Sequence, residues 1–291
     1  MRDGTQDVYE GSVNKALDYI HTHLAESLTL EVLSAEGCFS PYHFHRVFKA
    51  IVGETHQQYV NRVRLERAAL LMDEGLPITE IALAVGFASS AHFAQAFKAH
   101  FGASPRAFRD RRKERKVSIV SRREARHDWG TNSADAPIAV REYPSYRVAY
   151  VRHIGGYDFR IGFAWRKLMR WARENGCLSG ENIRISCSWD SPELTEDGRL
   201  RYDACVTVPE GTVASGGVGV RLIPGGFFAC VPFAGKTAEL SGFYDRVYGE
   251  ILPASGLRLL HDPGYRVHLE NPLEQARGRF QNELRVPVAE R

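Results

Sequence analysis

The strongest constraint on this chain is that its first part is written twice. At an offset of forty-nine, Glu31, Ala35, Gly37, Ser40, His43, Phe44, Phe48, Lys49, Ala50 and Gly53 recur as Glu80, Ala84, Gly86, Ser89, His92, Phe93, Phe97, Lys98, Ala99 and Gly102. In each copy the apolar residues fall at helical spacing, Phe44, Val47, Phe48 and Ile51 in one and Phe93, Ala96, Phe97 and Phe101 in the other. A shorter apolar-periodic run precedes each: Leu30, Val32 and Leu33, or Ile78, Ile81 and Ala82. Between the two runs come a glycine (Gly37 or Gly86), an aromatic (Phe39 or Phe87) and a serine (Ser40 or Ser89). The glycine is expected to supply a turn with φ > 0 and the serine to cap the next helix. Pro41, at the first helical position, strengthens that start.

Helix, short turn, helix, repeated, predicts tandem helix-turn-helix units whose second helices can lie in a major groove. A single copy would fit an ordinary helical hairpin as well; duplication with basic enrichment favours DNA. Off the apolar stripes lie Tyr42, His43, His45, Arg46 and Lys49 in the first copy and Ser90, Ala91, His92, Gln95 and Lys98 in the second. Arg46 suits guanine and Gln95 adenine, each bidentate pair giving ~1–3 kcal/mol of discrimination. Lys49, Lys98, Arg106, Arg109 and the run Arg111–Lys116 suit phosphates, which fix register without reading sequence. The connector, residues 57–74, is rich in helix formers; eighteen helical residues span ~27 Å, near one ~34 Å turn of duplex. Both second helices are therefore expected on one face of double-stranded DNA.

Charge is distributed to match. Formal net charge is +3, yet residues 1–39 sum to −5 and residues 40–126 to +8, while 131–291 are close to neutral. One section is expected to meet an anionic partner and another to work differently. The boundary is placed by composition: 1–112 as the DNA-binding domain, 113–136 as a basic and polar linker, and 137–291 as a second domain. Five cysteines without a C-x-x-C pair predict reduced core residues rather than a zinc site or disulfide framework. Acidic Asp3, Asp7 and Glu10 and the lack of any long apolar run predict a cytoplasmic protein with no membrane partner. No cofactor or metal site is expected.

The second half is also duplicated, at an offset of eighty. Ala149, Val151, Gly155, Gly162, Phe163 and Arg166 recur as Ala229, Val231, Gly235, Gly242, Phe243 and Arg246. Strand-like runs Arg147–His153 and Phe227–Phe233 each lead through a glycine turn to a helix, Ile161–Trp171 or Leu240–Ile251. Further strands are expected at Arg184–Trp189, Tyr202–Val208, Arg266–Leu269 and Glu283–Val288. The fold class is thus multidomain: an all-α tandem helix-turn-helix domain, then an α+β domain with an antiparallel sheet and two helices on one face. The other face is expected to form a ligand groove. Its candidate residues are Tyr150, Tyr157, Trp165, Trp189, Tyr202 and Glu283, although most aromatics here, taken singly, read as core sooner than as ligand wall. Glu283 stays open between a buried carboxylate awaiting a cationic ligand and an exposed or arginine-paired strand residue.

Residues 10–112 resemble the AraC/XylS-type transcription regulators. The resemblance rests on Ser40 to Lys49 with Gly53-Glu54-Thr55, on Ile78 to Ala82 with Gly86-Phe87, on His92-Phe93 and Phe97-Lys98, and on Phe101 to Pro105. It implies DNA binding near promoters, with Tyr42, His43, His45 and Arg46 reading bases and Ser90, Ala91, His92 and Gln95 at the corresponding second positions. It also brings RNA polymerase into view as a partner. Gln95 departs from the arginine often found there.

Residues 137–288 resemble the GyrI-like effector-binding domains, through Arg147 to Tyr157, Ser188 to Pro192, Leu200 to Cys205 and Glu283 to Val288. That resemblance implies a groove for a small amphiphilic, often cationic aromatic effector, with a glutamate matching Glu283. Gly156 and Trp189 depart from a frequent proline and tyrosine. The domain order is similar to the Rob-type subgroup, and a regulator without enzymatic activity is expected. Two rivals remain. Some GyrI-like proteins hydrolyse reactive cyclic compounds, and Glu283 beside Trp165, Trp189 or Tyr202 would supply acid/base chemistry, though no nucleophile, base and orienter set is visible. Alternatively the second domain serves only protein interaction, which a groove filled by its own side chains would favour.

Overall fold

The computed structural model describes residues 2–124, 138–260, 264–269 and 279–290, with side chains from Gln6 to Glu114 in the first segment and from Phe280 in the last. The chain divides into two units, Met1–Trp129 and Gly130–Arg291. Helix α1 (Arg2–Thr22) precedes the first helix-turn-helix pair, α2 (Leu30–Glu36) and α3 (Pro41–Val52). The connector α4 (His56–Leu71) leads to the second pair, α5 (Ile78–Ala84) and α6 (Ser90–Phe101), and α7 (Pro105–Glu124) closes the unit.

The helix ends follow from local chemistry. Thr55 and Gln58 form a reciprocal capping box at the start of α4, and the Ser89 hydroxyl accepts from the His92 amide to start α6. Ser40 holds the equivalent place before α3 without a side-chain cap, leaving Pro41 as the start signal. Gly53 and Gly102 end α3 and α6 in the left-handed conformation, at φ 83° and 69°. The turns inside the pairs differ from expectation. Gly86 does take φ 87°, but Gly37 lies at φ −76°, and the positive φ of the first turn falls on Cys38 at 58°. Gly37 answers a different need: a Cβ there would lie 3.0 Å from the Phe44 ring.

Each pair buries its own aromatic stripe, Phe44 and Phe48 in mutual contact with Phe48 edge-on to Tyr59, and Phe93 and Phe97 in mutual contact with Phe93 edge-on to Phe87. Between the copies, Arg62 of α4 is buried and held by Glu54 at 2.6 Å and Glu66 at 3.1 Å. Burial alone would lower its pKa, and the two carboxylates more than offset this. The Arg64 guanidinium donates to the Leu24 and Glu26 carbonyls, tying α4 to the loop before α2. The basic run from Arg111 lies on α7, while the polar stretch from Gly130 to Pro137 falls outside the described residues.

The second unit is an eight-stranded antiparallel sheet. Its elements are β1 (Ala139–Tyr143), β2 (Tyr146–Ile154), α8 (Ile161–Glu174), β3 (Arg184–Ser188), β4 (Arg201–Thr207), β5 (Gly219–Ile223), β6 (Gly226–Lys236), α9 (Leu240–Arg246), β7 (Tyr265–His268) and β8 (Arg279–Val288). Helix α9 runs on through a π-turn, Val247–Ile251, and a last turn, Leu252–Ala254. The strand order β1-β6-β8-β7-β3-β4-β2-β5 is palindromic with respect to the offset of eighty. Val148 of β2 faces Arg221 of β5, and Phe228 of β6 faces Arg141 of β1. The edge strands β1 and β5 were not anticipated, because each is five residues long and only partly buried.

Alternation assigns the two faces. Ala149, Val151, Tyr202, Ala204 and Val206 pack under α8 with Trp165, Leu168 and Trp171. Ala229, Val231, Leu284 and Val286 pack with Val247 and Leu252. The opposite face carries no helix among the described residues; it gathers Val148, Tyr150, Ile185, Cys187, Cys205, Phe228, Cys230, Tyr265 and Val267. All five cysteines are free.

Candidate functional site

On α3, Phe44, Val47 and Phe48 point inward, which leaves Tyr42, Arg46 and Lys49 exposed. The Arg46 guanidinium donates to the Tyr42 hydroxyl at 3.1 Å, so these two side chains brace each other on the surface. His43 and His45 are half-buried. His43 rests edge-on against Tyr9 and beside Phe39, at 5.3 Å and 4.8 Å between ring centres, and His45 meets His56 edge-on at 5.7 Å. Burial, reinforced by the nearby His45, pushes the His56 pKa down. On α6, Ser90, Ala91, His92, Gln95 and Lys98 are all exposed. The offset of forty-nine places Gln95 where α3 has Arg46, and Lys98 where it has Lys49.

In the second unit the six predicted effector residues divide between the two faces of the sheet. Tyr150, Trp189 and Glu283 belong to the open face. Trp165, on α8, and Tyr202, on the strand beneath it, meet on the helix-covered face, where the indole N–H donates to the Tyr202 hydroxyl at 3.0 Å. Tyr157 also packs on that side and donates to the Asp190 and Arg201 carbonyls; burial pushes its pKa up. The catalytic grouping of Glu283 with Trp165 or Tyr202 is therefore not assembled, because the sheet separates them.

The open face instead holds two acid-and-arginine clusters. In the first, buried Asp203 accepts both Nε and Nη2 of Arg152 at 2.8 Å, Arg221 at 3.1 Å and the Trp189 indole N–H at 2.8 Å. Burial alone would push the Asp203 carboxyl up, but the two guanidiniums hold it below its ordinary value. Arg152 and Arg221 stand over the rings of Tyr150 and Trp189, with Arg221 4.5 Å from the Trp189 ring centre. In the second, Glu283 accepts Arg285 Nε at 2.7 Å, the Tyr143 hydroxyl at 3.2 Å and Arg141 at 3.3 Å. Arg285 lies 3.6 Å from the Tyr143 ring centre and also reaches Tyr146. Desolvation pushes the neighbouring Tyr265 hydroxyl up to about 12.

Of the two readings left open for Glu283, the structure places it with arginine. Asp203, Arg141, Arg152, Arg221, Arg285 and Tyr143 were not singled out from the sequence. The offset of eighty would have found several of them, since it carries Asp203 onto Glu283 and Arg141 onto Arg221.

Two helix-turn-helix units joined by a helix, followed by a duplicated sheet with one face free of helices among the described residues, define a DNA-binding regulator with a ligand-binding domain. Residues 136–289 match the GyrI-like small molecule binding domain, and residues 33–111 match a helix-turn-helix domain. The chain belongs to the GyrI-like family, joined to an AraC-type helix-turn-helix domain. It is 36% identical to probable transcription factor PqrA of Proteus vulgaris over 104 residues, 35% of this chain and 85% of that one. It is also 36% identical to the transcriptional activator RhaS of Escherichia fergusonii over 104 residues, 35% of this chain but only 37% of that one. A crystal structure of an AraC-type regulator from Chromobacterium violaceum superposes with a TM-score of 0.33 at 28% identity, covering 35% of this chain and 91% of that one. No described helix is long and apolar enough to cross a membrane.

Proposed function

We propose that the chain recognises promoter DNA sequence-specifically with α3 and α6 in adjacent major grooves, and that a small amphiphilic aromatic effector on the open sheet face alters that occupancy. The observation carrying the DNA reading is the matched pair of exposed helix edges, Arg46 with Lys49 and Gln95 with Lys98, on a shared structural repeat. An effector changes occupancy only by binding two conformations with different affinity, and recruitment of RNA polymerase would be the downstream event. The cationic effector that a lone glutamate would favour has competitors here, because Arg141 and Arg285 already engage Glu283.

The test is fluorescence anisotropy of the full chain with duplexes selected from a random pool. Log affinity should fall steeply and linearly with log salt and should discriminate selected from scrambled duplex. A flat salt response overturns the reading. A second reading, in which the C-terminal unit serves only protein association, draws support from the guanidiniums that cap its aromatic rings. Light scattering showing a dimer abolished by open-face substitutions, with no small-molecule binding, would select it.

A further inference from the structure

The clusters on the open face amount to a set of built-in cations. In the ion pairs of this face four guanidiniums, Arg141, Arg152, Arg221 and Arg285, meet two carboxylates, Asp203 and Glu283. The remaining buried pair on this edge, Arg201 with Asp190, is neutral and changes nothing in that balance. The same guanidiniums cover the rings of Tyr143, Tyr150 and Trp189. An aromatic cation entering here would have to compete twice with the chain's own arginines, once for each carboxylate and once for each ring face. An aromatic anion would compete for neither. It would pair with guanidiniums that outnumber the carboxylates in these clusters, and its ring would lie on the guanidinium planes rather than on the ring faces they cover. Arg141 is the natural point of entry, its side chain 57% exposed while that of Glu283 beneath it is 17% exposed.

We infer that the open face selects an aromatic or amphiphilic ligand bearing a carboxylate or sulfonate, with Arg141 and Arg221 as the groups that receive the anion. This rests on the reading of that face as the effector site, and it reverses the charge that Glu283 alone would predict. The two arginines are eighty residues apart and occupy equivalent places on β1 and β5, so each half of the sheet offers one receiving group.

The experiment titrates the full chain with two probes sharing one ring system, 2-naphthalenesulfonate and trimethyl(2-naphthylmethyl)ammonium, by calorimetry. The sulfonate should bind at least about tenfold more tightly, and the preference should shrink to about threefold or less in Arg141→Gln and in the Arg141→Gln/Arg221→Gln double variant. Arg141→Gln alters an exposed side chain, so a melting curve like that of the parent separates lost binding from lost folding. Equal or tighter binding of the ammonium ion, with binding still sensitive to Trp189→Leu, overturns the charge assignment and leaves the site standing. Saturable binding of neither probe, or binding indifferent to all these substitutions, overturns the site and the assignment together.

Discussion

Asp203 and Glu283 are the same residue of one repeated unit. Asp203 on β4 is flanked in register by Arg152 on β2 and Cys187 on β3; Glu283, eighty positions on, is flanked by Pro232 on β6 and Val267 on β7, each also eighty positions on. Each carboxylate takes an arginine from the edge-strand position matching the other, Arg221 or Arg141. What differs is burial: the Asp203 side chain is wholly inaccessible and that of Glu283 is 17% exposed. Removing the buried charge leaves two guanidiniums without their counter-ion, at a cost of about 3–5 kcal/mol. Asp203→Asn is therefore expected to destabilise the second unit severely, and Glu283→Gln by only about 1–2 kcal/mol. Urea unfolding followed by tryptophan fluorescence checks the order; equal losses would contradict it.

His268 gives the second unit a pH dependence of its own. It lies on the helix-covered side, edge-on to Trp165 and hydrogen-bonded to the Ser186 hydroxyl at 3.0 Å. Burial first, then Arg266 and Arg184, push its pKa down to about 3. Below about 6.5 the unfolded chain binds a proton at this site that the folded chain refuses, so stability falls as pH falls, by up to about 1.4 kcal/mol per pH unit until the folded value is reached. Asp203, with its depressed value, loses its contribution only at lower pH, beneath the ordinary carboxylate range near ~3.9. Between about pH 6.5 and 4.5 the slope of the second unit's own unfolding should therefore belong to His268 and flatten in His268→Gln, the lowered His56 acting on the first unit. An unchanged slope in that variant would assign the effect elsewhere.

Repetition made the architecture legible in the sequence; exposure decided what was not. Phe44, Phe48, Phe93 and Phe97 are buried helix-stripe residues whose spacing announces them, and α3 and α6 follow from it. The strands β2, β4, β6 and β8 announce themselves through alternating apolar residues. β1 and β5 do not, because edge strands half in water carry Arg141, Glu142 and Arg221 in place of a continuous apolar pattern. The predicted effector residues divide between the two faces for a related reason. Tyr202 and Asp203 are neighbours in sequence, yet alternation sends one under α8 and the other onto the open face, so aromatic content alone could not tell groove from core.

The two helix-turn-helix turns make opposite demands on their residues. Gly86 combines φ 87° with close packing: a Cβ there would stand 2.8 Å from Arg64 Nη2 and 2.9 Å from the Leu24 carbonyl. Gly86→Ala must strain the backbone and displace the arginine that ties α4 to the loop before α2, so a loss of about 2–3 kcal/mol is expected. Cys38, a non-glycine at φ 58°, already bears such strain. Cys38→Gly relieves it at the expense of greater chain entropy and should be neutral to about 0.5 kcal/mol stabilising. Thermal melts of both variants by circular dichroism read the two signs; a destabilised Cys38→Gly would show that the cysteine side chain matters more than its backbone.

The matched helix edges separate base reading from phosphate anchoring. Arg46 and Gln95 occupy equivalent positions on α3 and α6 but offer different chemistry, two charged donors against one donor and one acceptor, so the two half-sites should differ in sequence. Arg46→Ala and Gln95→Ala are each expected to weaken binding to a selected duplex by about 1–3 kcal/mol and to relax preference in one half-site only. Arg46→Ala also frees Tyr42 from its 3.1 Å hydrogen bond, so Tyr42→Phe serves as the control for that lost brace. Lys49→Ala and Lys98→Ala should instead weaken selected and scrambled duplexes alike, each lowering the slope of log affinity against log salt by about one. Anisotropy at several salt concentrations distinguishes the two patterns. Lysine variants that alter half-site preference, or an Arg46→Ala variant that loses affinity for every duplex equally, would reverse the assignment of roles.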